Sequence, residues 1–393
     1  MLQASPFSFA DREVPYLKSA SVQWSGVTVD PDIRMWASHR DELALQVNRG
    51  DLMVCEGGDV GRCAIYDGPD GFIFQNSVHR VRSHSGNDVR YFRYALEALH
   101  GSEWLDVLCN KATIRHLTSE KLGDLEIPLP AQCEQRRIAD FLDTETARID
   151  GLKLRRNKMR SLLELRRERV IESALGLDLS EGRPQMVPLK YLAAKVTVGI
   201  VITPAKWYVD TGGVPALRGL NVKPGRIDSN TLVQISAEGH AENVKSRLAS
   251  GDLVVVRTGQ AGAAAVVPPE LDGANCIDLI LVRPGRGIRS RYLQYVLNSR
   301  YARVQVAENS VGSIQAHFNV GSMKQIPIPS IPLARQDEIV DGLDEEVGAL
   351  KMLEEKLEEQ DRLLAGRRQA LITAAVTGQL DVTTARPAHD RDL

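Results

Sequence analysis

The sequence lacks most of the features that usually announce a function. No stretch approaches 18 consecutive apolar residues, so nothing reads as a membrane-spanning helix. The opening MLQASPFSFADRE has neither the basic start nor the apolar run of a secretory signal. Cysteine is scarce: Cys55, Cys63, Cys109, Cys133 and Cys276 are odd in number, scattered, and without CxxC or Cys/His ligand spacing. That pattern excludes a disulfide framework and a structural zinc site. No GxxxxGK[ST] phosphate loop or HExxH helix occurs. The Asp/Asn-Pro-Pro-aromatic tetrapeptide of an adenine methyltransferase is missing, and no carboxylate cluster reads as a nuclease. The expectation is a cytoplasmic, metal-free, non-catalytic chain with no cofactor of its own.

What is present is ordinary in amount and unusual in arrangement. The 393 residues, 43% hydrophobic and 25% charged, are enough for two or three domains. A net charge of −2 argues against coating nucleic acid by bulk charge. The charge is segregated, however. From Gly151 to Arg169 there are eight Lys/Arg and two Asp/Glu, and from Gln336 to Asp361 eleven acids and two lysines.

The organising feature is an internal repeat. Displaced by 201 positions, Gly50-Asp51-Leu52 meets Gly251-Asp252-Leu253, and Gly58 and Gly61 meet Gly259 and Gly262. Tyr91 and Tyr94 meet Tyr292 and Tyr295, and Gln135, Ile138, Leu142 and Asp143 meet Gln336, Ile339, Leu343 and Asp344. Nearer the start the offset is 200, laying VPYLKSASVQWSGV (14–27) over VPALRGLNVKPGRI (214–227). A period this long is a duplicated domain rather than a solenoid repeat. The first copy has nothing matching VPLKYLAAKVTVGIV (187–201). Either a different segment covers that edge, or the chain starts later than its relatives do.

Each copy has a β-rich front, where short runs such as DLMVCE and DLVVVR are bounded by turn residues. Each then passes through a proline-marked exit, IPLP (127–130) or IPIPSIP (326–332), into a long helix. Alternating steps of four and three from Ile138 and from Ile339 give apolar residues at seven of ten positions in both copies. This predicts a heptad seam with the two helices pairing antiparallel, the basic block of one along the acidic block of the other. The expected layout is a first module over 1–131, short at its front, and a helix over 132–178. A linker over 179–186, a second module over 187–332, a second helix over 333–377 and a disordered tail over 378–393 follow.

Candidate contact residues lie where the copies share a frame but differ in side chain. The glycine-bearing loops connect strand to strand, so no helix N-terminus aims at an anion there. They carry Glu56, Asp59 and Arg62 in one copy and Arg257, Thr258 and Gln260 in the other. The segments KATIRHL (111–117) and GSIQAHF (312–318) add Lys111, Arg115 and His116, and Gln315 and His317. Arg suits guanine and Gln suits adenine in a major groove. Lys18, Gln23 and Trp24, with Arg218, Asn221 and Lys223, form a further patch of cations and hydrogen-bonding groups.

With these residues the chain resembles the specificity subunits of type I restriction–modification systems. The resemblance rests on the duplication, on GDLMVCEGGDVG and GDLVVVRTGQAG, and on LTSEKLGDLEIPLPAQCEQRRIADFLD (117–143) with the weaker FNVGSMKQIPIPSIPLARQDEIVDGLD (318–344). It implies an α+β fold of two β-rich target-recognition domains related by pseudo-two-fold symmetry. Each is followed by a long helix, and the helices form an antiparallel coiled coil. It further implies double-stranded DNA as ligand, read at a bipartite asymmetric site. Two methyltransferase subunits carrying S-adenosylmethionine and two motor–nuclease subunits using ATP and Mg are the implied partners. The alternatives are a duplicated protein-interaction adaptor without DNA readout, and an enzyme with the two glycine loops as its sites.

Overall fold

The runs LMVC and LVVV are continuously apolar because both faces of each strand are buried. In the computed structural model, which describes residues 4–84, 86–102, 116–178, 182–308 and 318–384, these runs form the strands Leu52–Cys55 and Leu253–Val256. Leu52 and Val54 enter one hydrophobic cluster, and Met53 and Cys55 another. Leu253 and Val255 likewise separate from Val254 and Val256. Side chains alternate across a strand, so such a run needs apolar layers on both sides.

The chain divides into two compact units, Met1–Asn157 with Glu358–Leu393, and Lys158–Leu357. In the first unit, Leu52–Cys55 lies between Cys63–Ile65 and Val78–Val81, antiparallel to both. A second sheet orders Arg34–Ala37, Arg12–Leu17 and Ile73–Phe74. In the second unit, Leu253–Val256 lies between Ala264–Val266 and Leu279–Pro284. A fourth strand, Ala193–Val198, extends that sheet beside Leu279–Pro284. It belongs to the segment that has no counterpart in the first copy.

The repeat explains itself through buried polar anchors. Asp51 accepts hydrogen bonds from Arg82 at 2.6 and 2.8 Å, and Asp252 accepts them from Arg283 at 2.8 and 2.7 Å. Tyr91 donates to the Pro128 carbonyl and Tyr292 to that of Pro329. Tyr94 donates to Asp143 and Tyr295 to Asp344. Gln135 is buried at the start of the first long helix, where its amide oxygen accepts the Asp88 N–H. Its nitrogen donates to the Pro130 carbonyl and to Asn87. Gln336 repeats this, accepting from the Arg289 N–H and donating to the carbonyls of Gly287 and Ile331. The Gln-x-x-Ile-x-x-x-Leu-Asp exit is therefore the joint between module and helix.

The long helices are Gln132–Ala174 and Leu333–Val376. In the first unit Ile138 and Leu142 pack with Ile372, Ala375 and Val376. Asp150 lies 3.6 Å from Arg368, and Arg156 lies 3.6 Å from Asp361. Rising numbers on one helix meet falling numbers on the other, so the segments run antiparallel. In the second unit Ile171 and Leu175 share a core with Val340 and Leu343. No helix of the described residues is long and apolar enough to cross a membrane.

The seam differs in detail from the sequence expectation. In the first helix the anticipated Met159 and Arg166 are exposed and Arg160 and Arg167 turn inward instead, while Val170 packs partly buried beside Ile171 on the same core. A straight helix drifts about 20° per heptad from a 3.5-residue repeat, so several heptads displace the inner face by one residue. In the second helix Leu343, Leu350, Leu357 and Leu364 are buried as expected, but Leu353 is exposed and Glu354 turns inward. Apolar periodicity cannot find a seam that is partly closed by charge, as Asp361 and Arg368 close this one.

Candidate nucleic-acid interface

The two glycine-bearing loops connect strand to strand. In the first copy Cys55 N–H donates to the Arg62 carbonyl and Gly61 N–H to that of Cys55. Val256 with Ala263, and Gly262 with Val256, do the same in the second. Gly58 and Gly259 both adopt φ 77°, which favours glycine and lets the chain turn back in so few residues. Each loop is also tied to the segment behind it. Leu117 N–H donates to the Glu56 carbonyl at 2.8 Å and Phe318 N–H to that of Arg257 at 3.1 Å.

On this shared frame the side chains diverge. In the first copy Arg62 pairs with Asp59 at 3.3 Å and donates to the Ser19 carbonyl at 3.0 Å, while His100 holds Asp59 at 2.8 Å. Glu56 is half-buried, 4.0 Å from the Nδ1 of the exposed His116. In the second copy Arg257 pairs with Asp278 at 2.6 Å and donates through Nε to the Phe318 carbonyl at 3.3 Å. Asp278 sits at φ 50°, a left-handed conformation that among non-glycine residues Asp and Asn adopt most readily. Thr258 is half-buried and Gln260 exposed at the loop tip. The first loop is thus acidic and internally paired, the second cationic at its base and polar at its tip.

The second patch is only partly a surface. Lys18 and Arg218 precede equivalent single turns, each leading to a tight hairpin, Val22–Gln23 with Gly26–Val27 and Val222–Lys223 with Arg226–Ile227. Asn221 is fully buried. Its side chain accepts the Arg218 N–H at 2.9 Å and donates to Thr231 and to the Asp228 carbonyl. That moves Asn221 from the candidate surface to its support, because no edge of its amide remains for a base. Trp24 stacks edge-on against His100 at 4.9 Å, and its carbonyl accepts from Arg93. Gln23, exposed, donates to the Ala20 carbonyl. Lys111, Arg115, Gln315 and His317 lie outside the described residues.

The structure also gathers residues that sequence reading missed. A cavity of about 600 Å³ in the second unit brings Lys223 and Gln260 together with Arg167, Arg226, Arg300 and Arg303. These come from four segments distant in sequence, so no local motif marks them. The signal that could have found them is the repeat itself, through positions where the copies differ in charge. Burial in the core of the second unit pushes the Cys276 thiol up to about 12.

Comparison with known proteins follows the same lines. Residues 38–159 match the family model described as the type I restriction modification DNA specificity domain. The specificity subunit of the type I restriction enzyme EcoBI, from Escherichia coli, is 23% identical over 319 residues. That match covers 74% of this chain and 65% of the relative, under two thirds of its length. A chain from a structural study of complex assembly and conformational transition of the type I R-M system aligns with a TM-score of 0.75 at 16% identity. It covers 96% of this chain and 95% of that one. The HsdS subunit from Thermoanaerobacter tengcongensis aligns with a TM-score of 0.51 at 17% identity, over 94% and 92% of the two chains. The chain is therefore similar to type I specificity subunits, through the DNA specificity domain model over residues 38–159 and more widely in sequence and in fold.

Proposed function

We propose that this chain is the DNA-reading subunit of a type I restriction–modification complex, each β-rich module reading one half of a bipartite, asymmetric duplex site. The observation that carries this reading is the pair of strand–loop–strand tips. They share their backbone bonds and glycine turns and differ in side chain, Glu56, Asp59 and Arg62 against Arg257, Thr258 and Gln260. One scaffold with two sets of contact groups is what two different half-sites require. The complex would act in the cytoplasm.

Catalysis belongs, on this reading, to two methyltransferase subunits with S-adenosylmethionine and to motor–nuclease subunits with ATP and Mg. The long helices offer a place for them: the equivalent Leu162 and Leu363 are 57% and 66% exposed, more than a solitary packed helix requires. The purified chain is expected to show no methyl transfer, ATP hydrolysis or DNA cleavage. Turnover that survives removal of every co-purifying partner would contradict this.

Direct readout is tested at the second loop. In the assembled complex, Arg257→Ala and Gln260→Ala are each expected to weaken duplex binding. A base contact relaxes discrimination at one position by about 1–3 kcal/mol, whereas a phosphate contact weakens all sequences alike. Equilibrium binding against a panel of single-base variants distinguishes the two. Wild-type affinity and specificity in both variants would place the reading surface elsewhere.

A further inference from the structure

The cavity in the second unit is strongly cationic, and comparison with the first unit shows why. Its lining includes Arg167, Lys223, Arg226, Arg300 and Arg303, five cations, against Glu164 and Glu168. Arg303 pairs with Glu168. Among the described residues no carboxylate lies within ion-pair distance of Arg167, Lys223, Arg226 or Arg300. Left together in a partly enclosed space, four unpaired cations repel one another unless an anion joins them.

In the first unit the equivalent arginine is neutralised by a carboxylate of its own module. Arg368, the counterpart of Arg167 at the 201-residue offset, pairs with the buried Glu97, which also lies 3.7 Å from Arg93. In the second copy Glu97 becomes Asn298 and Arg93 becomes Gln294. Both amides are spent on the neighbouring strand. Asn298 accepts the Ala264 N–H at 3.0 Å and donates to the Ala264 carbonyl at 2.8 Å, and Gln294 accepts the Val266 N–H. The carboxylate that neutralises the helix arginine in one unit is thus absent from the other, where Arg167 lines the cavity with Asn298 in place of Glu97.

The geometry points to a phosphate-binding pocket in the second module, formed by Arg167, Arg300 and the hairpin cations Lys223 and Arg226. Three guanidinium forks and an ammonium suit the oxygens of phosphate esters, which they engage by paired, charge-assisted hydrogen bonds. The volume is that of a ligand site rather than of a single ion. The Arg300–Glu308 helix begins at the cavity and adds its positive end to the field. The phosphate could belong to the duplex backbone, gripped beside the Gln260 loop, or to a free polyphosphate. The first source rests on the DNA-reading role proposed above.

The test uses the full-length chain and Arg167→Gln/Arg300→Gln, a pair that removes two cations without breaking an ion pair among the described residues. Calorimetric titration with inorganic pyrophosphate is expected to show binding to the wild type and at least tenfold weaker binding to the variant, with the thermal transition unchanged. In the assembled complex, the plot of log affinity for duplex DNA against log salt is expected to become shallower by about one to two. An unchanged salt slope together with lost pyrophosphate binding rejects the backbone source and leaves the free polyphosphate. Pyrophosphate binding and salt slope both unaffected by the substitutions would overturn the pocket. A wild-type complex that binds no DNA overturns the DNA-reading role instead, and the pyrophosphate titration then decides the pocket alone.

Discussion

Glu97→Ala is expected to destabilise the first unit by about 3–5 kcal/mol, because it leaves buried cations without a counter-ion. Glu97 is 6% exposed in its side chain, Arg368 14% and Arg93 16%. Water can reach none of them well enough to replace the carboxylate, and among the described residues Arg368 would retain only the Asp150 ion pair at 3.6 Å. The effect should appear in urea unfolding of the full chain as loss of the first unit's transition, with that of the second unit in place. Arg368→Ala added to Glu97→Ala should cost less than the sum of the two, since removing both charges leaves neither stranded. A cost below about 1 kcal/mol for Glu97→Ala would show that the cluster is solvated and that the contrast with Asn298 carries no electrostatic meaning.

Exchange of residues 187–332 for the matching module of a related protein is expected to replace one half-site completely and leave the other untouched. The physical reason lies at the module's edges. The segment enters on Met186–Pro188, which pairs with Pro327–Pro329, and leaves through the Gln336 joint. Its contact loop lies between those limits, so the exchange carries the reading groups and keeps the connections. Sequencing of methylated adenines in cells carrying the hybrid reads both half-sites at once. A change in both, or in neither, would rule out independent readers.

Much of this molecule is legible in the sequence because a duplication states everything twice. The 201-residue offset that aligns Gly58 with Gly259 and Gln135 with Gln336 also aligns their strands, turns and hydrogen bonds. The polarity of the loops as strand-to-strand connections could be read from the apolar runs on either side. Other features escaped for identifiable reasons. Asn221 reads as a contact residue because an exposed and a buried amide look alike in one dimension; only its three bonds to Arg218, Thr231 and Asp228 separate them. Met159 fits a strict heptad, yet the helix geometry favours Arg160 at that turn. The cationic cavity depends on four segments meeting, and its clearest trace, Glu97 against Asn298, is a single substitution inside a helix that otherwise repeats.

The buried glutamine at the start of the second long helix has a consequence for how such a module can diversify. Gln336 holds its module through one N–H and two carbonyls, those of Arg289, Gly287 and Ile331. All three are main-chain groups, which every non-proline residue supplies irrespective of its side chain. This part of the fastening, unlike the Tyr295–Asp344 bond, is therefore blind to the sequence it fastens. A module can change nearly every residue on its surface without renegotiating its bonds to Gln336. On the proposed function, selection can then act on what is read while the partner subunits stay the same.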